Sequence, residues 1–73
     1  MQVLPVDFNT MMQFEDNDHV IIAQTDHSRD KNVHLMNGER IIVYDEEFQV
    51  EAIAHLENNF WIGEIDWTTR KAV

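Results

Sequence analysis

Asp26, His27 and Ser28 are consecutive in the chain and are the three residue types that a hydrolase triad combines. In such a triad the side chains converge from separate elements on one reacting centre, which three consecutive residues do not do. Ser28 is the single serine of the chain, and no Gly-x-Ser-x-Gly sequence surrounds it. We therefore predict that this segment is a polar loop, and we expect no catalytic residues in this chain.

Histidines and acidic residues are the candidate metal ligands. His27 and His34 flank one loop and, together with Asp26 or Asp30, have the donor types of a metal site. No two histidines have the i, i+4 spacing typical of a helical zinc pair, and the chain contains no cysteine. The sequence therefore predicts neither a resident metal nor another cofactor. We expect His19 and His55 at strand ends or on the outer face of a sheet.

Two groups of carboxylates are candidate functional sites. The segment Glu15–Asp18 has acidic side chains, but it lacks the alternating ligands and the distal Glu of an EF-hand loop. Glu64 and Asp66 would approach Glu51 if their strands pair, and paired carboxylates are the catalytic groups of glycosidases. A domain of this size offers no cleft around them, so we predict that the chain is not an enzyme.

Charge is the strongest global property of the chain. Fourteen acidic and five basic residues give a formal net charge of −9 on 73 residues. Such a surface repels nucleic-acid backbones and anionic lipids and attracts basic protein surfaces. The absence of cysteine and of a long apolar stretch indicates a cytoplasmic protein, and the hydrophobic content of 44% indicates a folded one.

The apolar pattern predicts short strands separated by turns. The predicted strands are His19–Thr25, Glu39–Asp45, Phe48–Glu57 and Phe60–Trp67, and Met11–Glu15 is a further candidate strand. A helix is the alternative for residues 48–57, which also contain good helix formers. Residues 1–18 are predicted as an irregular arm or an edge strand, and residues 68–73 as a polar tail.

The turn predictions come from residues that tolerate positive φ or that cap with their own side chains. Asn37-Gly38 is typical of a type I′ hairpin turn, and Asn58-Asn59 is a second two-residue turn. Asp45-Glu46-Glu47 is predicted to join two strands. Gly63 is predicted to mark a bulge or a bend, as small barrels need at their corners.

Residues 38–67 (GERIIVYDEEFQVEAIAHLENNFWIGEIDW) resemble the strand–turn–strand–turn–strand meander of small SH3-like barrels. The ALYDY-type signature of SH3 domains is absent, so no ligand residues are transferred from that family. The resemblance implies a mainly β fold in which an antiparallel meander closes into a barrel of about five strands. We expect residues 1–73 to form one domain.

Aromatic and acidic residues alternate in the second half of the chain. The negative charge of this pattern repels phosphate groups. It attracts Arg and Lys, which pair with carboxylates and stack on Trp. The predicted partner-binding residues are Tyr44, Asp45, Glu46, Glu47, Trp61, Glu64, Asp66 and Trp67. The alternative for the two tryptophans is that one belongs to the core and the other covers a barrel end.

The leading functional hypothesis is a non-catalytic module that binds a basic protein surface. A second hypothesis is inhibition by nucleic-acid mimicry, in which carboxylates occupy the phosphate-binding channel of a nucleic-acid enzyme, as in inhibitors of phage or bacterial type and antitoxins. A third is an accessory subunit or homo-oligomer that packs through its apolar segment Val3–Phe14. Neither direct nucleic-acid binding nor membrane binding is expected.

Overall fold

The computed structural model describes residues 1–24 and 34–73 of the chain. This part contains five strands and a short 3-10 helix. The elements are β1 (Val3–Pro5), the 3-10 helix (Phe8–Gln13), β2 (His19–Gln24), β3 (Arg40–Tyr44), β4 (Phe48–Glu57) and β5 (Phe60–Ala72). All strands belong to one sheet in the order β1-β3-β4-β5-β2. The predicted mainly β class is confirmed.

Strands β3, β4 and β5 form the predicted antiparallel meander. Residues 48–57 are a strand, so the helical alternative is wrong. Asn58 and Asn59 join β4 to β5 with φ values of 49° and 67°, which are the two positive angles that a type I′ turn requires. The turn between β3 and β4 begins at Asp45, as predicted, where the Asp45 N–H donates to the carbonyl of Phe48 at 3.1 Å.

The Asn37-Gly38 turn differs from its prediction. Only Gly38 has a positive φ, of 87°, so the turn is not type I′. The residues just before it, 34–36, are not in a strand. Instead the turn is bound to β4, because the Gly38 N–H donates to the carbonyl of Ala54 at 2.7 Å and Asn37 Oδ1 accepts from the N–H of Leu56 at 2.7 Å.

The sheet is open. β1 pairs with β3 and β2 pairs with β5, and among the described residues no ladder joins β1 to β2. The predicted closure into a barrel is therefore not found. The sheet is also mixed, because β1 runs parallel to β3, with Val3 opposite Ile42. The candidate strand Met11–Glu15 is wrong, since this segment contains the end of the 3-10 helix and the start of a turn.

One face of the sheet carries the core, and we call the opposite face the outer face. The core cluster on this face consists of Val20, Ile41, Val43, Val50, Ala52, Ala54 and Ile65. Ala23 and Ile62 are also buried, but Ile62 lies opposite His55, on the outer face. Along β4 burial alternates, with Val50, Ala52 and Ala54 facing inward as their spacing predicts. Leu4 and Phe8 from the N-terminal segment pack against this cluster. Residues 1–18 therefore contribute to the fold with a strand, a helical turn and core contacts.

β5 continues to Ala72, so the predicted tail at residues 68–73 is largely strand. A register shift separates the Glu51–Asp66 pair from the Gln49–Lys71 pair. Within this irregularity the Thr69 hydroxyl accepts from the N–H of Glu51 at 2.8 Å and donates to the carbonyl of Asp66 at 2.7 Å. The hydroxyl thus replaces a missing backbone pairing. At Gly63 the pairing with both neighbouring strands is regular, so the predicted bulge there is wrong.

Candidate acidic groove

An open groove of about 640 Å³ lies where the end of β1 meets the turn between β3 and β4. We call it the acidic groove. Its lining consists of Pro5, Val6, Asp7, Phe8, Asn9, Tyr44, Asp45, Glu46 and Glu47. Four of these nine side chains are carboxylates and two are aromatic, and none of the nine is cationic. The groove therefore combines negative charge with apolar surface.

Parallel pairing of β1 with β3 forms one wall of the groove. Pro5 lies opposite Tyr44, and the Val6 N–H donates to the carbonyl of Tyr44 at 3.0 Å. The chain then turns at Asp7, whose Oδ1 accepts from the N–H of Asn9 at 2.9 Å and so caps the 3-10 helix. This cap places Asp7 and Phe8 near the turn that follows β3.

The turn after β3 supplies the other three carboxylates. Asp45 Oδ1 accepts from the N–H groups of Glu47 at 2.8 Å and Phe48 at 3.1 Å, so this carboxylate holds the turn together. Glu46 and Glu47 are exposed. Neither side chain has a hydrogen bond or an ion pair with another described residue. Within the described part of the chain, these two carboxylates therefore have no cationic partner.

An aromatic layer adjoins the groove and is formed by Phe8, which lines the groove, together with Phe48 and Trp67. The rings of Phe8 and Phe48 are stacked with centroids 4.6 Å apart, and the Trp67 ring is 6.1 Å from Phe48. The Arg70 guanidinium carbon lies 4.7 Å from the centroid of Phe48. The chain's own cation thus makes a cation–π contact with this layer.

Glu64 and Asp66 lie elsewhere, on the outer face of β5. Arg40 Nη1 lies 3.4 Å from Asp66 Oδ2 and 3.1 Å from Glu51 Oε1, so one cation bridges two carboxylates. Hydrogen bonds from Thr68, and then the Arg40 guanidinium, lower the pKa of Asp66. The hydrogen bond to Glu51 raises the pKa of Arg40. Two acidic residues of this face are consequently already paired.

The two tryptophans are not neighbours. They are six residues apart on β5, a separation of about 20 Å along a strand. Trp61 is half-buried, packs against the core and lies opposite Leu56 and Ala23. Trp67 has 38% of its surface exposed. The structure thus brings Tyr44–Glu47 together in the acidic groove and places Trp67 in the aromatic layer that adjoins it. Trp61 lies towards the other end of β5.

Asp7 and Phe8 were not among the predicted site residues. The sequence Asp7-Phe8-Asn9-Thr10 contains a capping signal, because Asp is favoured before a helical turn. Nothing local indicates that this turn meets residues 44–47, since the contact depends on a parallel pairing across about forty residues of chain.

Some of the histidines lie within the described residues and others lie outside them. Asp26, His27, Ser28 and Asp30 lie outside them, so the triad and metal-site predictions on that segment stay predictions. His19 begins β2, and its Nδ1 atom lies 2.8 Å from Asp16 Oδ2. His55 lies on the outer face, with its ring 5.7 Å from that of His19. No group of three His, Asp or Glu within residues 1–24 and 34–73 is arranged to hold a metal ion.

No family model, curated protein or solved structure matches the chain. None of the helical turns in the described ranges has the length and apolar composition that spanning a membrane requires. The geometry and charge of the described residues are therefore the basis of any functional assignment.

Proposed function

We propose that this chain is a non-catalytic interaction module that binds a basic surface of a partner protein through the acidic groove. The observation that carries the proposal is the lining of that groove, where four carboxylates and two aromatic rings border an open space and no cationic side chain is among the described residues that line it. Carboxylates pair with Arg and Lys, and aromatic faces attract the same cations.

Each part of the site has a separate role in this proposal. Glu46 and Glu47 pair with cationic side chains of the partner, while Tyr44 and Phe8 contact their apolar stems or guanidinium planes. Asp45 mainly holds the turn. Glu64 and Asp66 add to the negative field that steers the partner, since the net charge of residues 25–33 is zero and the whole charge of −9 lies on the described residues.

The tryptophans extend the proposed contact to different degrees. Trp67 adjoins the acidic groove through Phe48 and Phe8, so it enlarges the aromatic surface that a partner can cover. Trp61 would contribute only to a partner that also reaches the opposite end of β5.

A defined cationic probe tests the acidic groove. Binding of a fluorescent octa-arginine peptide would be compared between the wild-type chain, the double variant Glu46→Gln/Glu47→Gln and the control Glu15→Gln/Glu57→Gln. Both double variants lose two negative charges, but only the first loses them from the groove. We expect about tenfold weaker binding for the groove variant, because two charge-assisted contacts are lost, and a much smaller loss for the control.

Stopped-flow measurements of the same reaction test the steering. The association rate constant should fall steeply as NaCl is added, since the field of a highly charged protein is screened. Equal weakening in the two double variants would contradict the acidic groove, and a salt-independent rate would contradict the steering.

Nucleic-acid mimicry is the second candidate function. It is favoured by the three carboxylates Glu51, Glu64 and Asp66 on adjacent strands of the outer face, although Arg40 partly neutralises two of them. A competition assay with labelled DNA on a restriction endonuclease would separate the two functions. Mimicry predicts that Glu64→Gln weakens the competition, whereas partner docking through the acidic groove predicts sensitivity to Glu46→Gln and Glu47→Gln.

We further propose a fold relationship and a cellular location. The β3–β4–β5 meander supports a relationship of this chain to SH3-like barrels. In this chain β1 and β2 are the two separate edges of an open sheet. The cysteine-free composition supports a cytoplasmic location.

A further inference from the structure

The second half of β5 has an unpaired edge. β5 has 13 residues, but its ladder with β2 ends at the pair His19–Glu64. The last backbone hydrogen bond on that side joins the Ile65 N–H to the carbonyl of Asp18 at 2.6 Å. From Trp67 to Ala72, no backbone group on this side pairs with another strand of the described part of the chain. We call residues 67–72 the β5 overhang.

The direction of the backbone groups follows from the pairing with β4. Val73 donates its N–H to the carbonyl of Glu47 at 3.1 Å, and Lys71 lies opposite Gln49 in the same register. In an antiparallel ladder alternate residues point to opposite sides. The N–H and C=O groups of Arg70 and Ala72 therefore point away from β4, towards the open edge.

The two terminal strands of the sheet are protected against strand addition, in contrast to the β5 overhang. β1 has three residues and ends with Pro5, which lacks an N–H donor. On β2, the Ile21 N–H is already occupied, because it donates to the Thr10 hydroxyl at 3.0 Å. The overhang contains a register shift between Asp66 and Lys71 but no proline, and Lys71 and Ala72 pair regularly with β4.

We propose that the β5 overhang pairs antiparallel with the same segment of a second copy of this chain. The charges along the strand support this partner, because the segment is preceded by Asp66 and ends near Lys71. Asp66 already contacts Arg40 within its own chain at 3.4 Å, so Lys71 of a second copy would join an existing ion pair. The side chains of Asp66 and Lys71 project from the outer face, since they lie opposite Glu51 and Gln49. Antiparallel pairing about the middle of the segment brings the acidic end of one copy close to the basic end of the other. The interface is self-complementary and closes at two copies.

Sedimentation equilibrium of the full chain, over micromolar to millimolar concentrations, tests the proposal. We expect reversible association from the monomer mass of 8.7 kDa to twice that mass. Association should strengthen with added NaCl, because two chains of net charge −9 repel each other and salt screens this repulsion. This salt dependence is opposite in sign to that of the acidic groove, and the inference does not depend on the groove.

Two matched pairs of variants locate the interface. Arg70→Pro removes the N–H at the open edge, and Arg70→Ala removes the same side chain but keeps that donor. We expect at least about tenfold weaker dimerisation for Arg70→Pro than for Arg70→Ala. Lys71→Glu should weaken the dimer about fivefold, and Lys71→Arg should leave it unchanged. Near-ultraviolet circular dichroism verifies that each variant is folded.

Hydrogen exchange on the wild-type chain gives a measurement that needs no variant. The amides of Arg70 and Ala72 should become protected at concentrations where the dimer forms and should exchange rapidly in the dilute monomer. A chain that stays monomeric throughout the concentration range would overturn the proposal. A dimer in which these amides remain unprotected, or which Arg70→Pro does not weaken, would also overturn it.

Discussion

The indole nitrogen Nε1 of Trp67 donates a hydrogen bond to Oδ1 of Asp18 at 3.1 Å, across 49 positions of sequence. The backbone of Asp18 makes a second link to β5, since its carbonyl accepts from the N–H of Ile65. Asp18 lies just before β2, so these two bonds fix the start of that strand against β5. They also hold the Trp67 ring beside Phe48, where it forms part of the aromatic layer.

Replacing Asp18 by Ala should lower the free energy of unfolding by about 1 kcal/mol, because the indole N–H loses its partner and the backbone link remains. Urea denaturation followed by circular dichroism measures this change. Asp18→Asn keeps a carbonyl oxygen in the same place and should lose less stability. Equal stability of the Ala variant and the wild type would show that water satisfies the indole equally well.

Local signals predicted the central meander because its turns are encoded by a few adjacent residues. Asn58 and Asn59 adopt the positive φ angles that their side chains tolerate, and Asp45 caps its turn with its own carboxylate. Between these turns the alternation of Val50, Ala52 and Ala54 determines which face of β4 is buried. The four predicted residues Tyr44–Glu47 come together in the acidic groove for the same reason, since they are consecutive.

Features that depend on long-range pairing were not predicted. β1 has only three residues and pairs with β3 in parallel, so no local turn or period encodes it. The extension of β5 to Ala72 depends on a register shift that the Thr69 hydroxyl completes, and the polar sequence after Trp67 gives no sign of it. The presence of Asp7 in the acidic groove was not predicted, because its position depends on the pairing of β1 with β3.

The sequence singled out Gly63 correctly as a position that needs glycine, but the predicted bulge is not the cause. The glycine is needed because the strands approach closely, not because the strand bulges. A Cβ atom at this position would lie 3.2 Å from Ala52 Cβ and 3.2 Å from Ile22 Cδ1. Because protein interiors are closely packed, an added methyl group at Gly63 would have to displace Ala52 or Ile22.

Gly63→Ala should therefore lower the free energy of unfolding by about 1–3 kcal/mol. Ile22→Val removes the Cδ1 atom and should recover part of this loss in the double variant, whereas the contact with Ala52 remains. A double-mutant cycle from urea denaturation measures the coupling between the two positions. Additive effects of the two substitutions would contradict the steric explanation.

The hydrogen bonds and ion pair of Asp66 predict a pH dependence of stability. Hydrogen bonds from Thr68, followed by the charge of Arg40, lower the pKa of Asp66 below its ordinary value of 3.8. A group whose pKa is depressed in the folded state contributes stability above its unfolded pKa and loses it as the pH falls through the folded pKa. The contribution of Asp66 should thus be fully present above about pH 5 and should decrease progressively below the ordinary pKa of an aspartate.

Asp66→Asn tests this dependence because the amide cannot titrate. We expect the difference in unfolding free energy between the wild type and Asp66→Asn to shrink as the pH falls from neutral to strongly acidic values. Urea denaturation at several pH values measures this difference, and Glu15→Gln serves as a control that removes one exposed negative charge away from Arg40. Release of the repulsion at net charge −9 stabilises all three proteins as acid is added, so the comparison between variants isolates the contribution of Asp66. A difference that stays constant with pH would show that the bonds from Thr68 and Arg40 do not favour the ionised carboxylate.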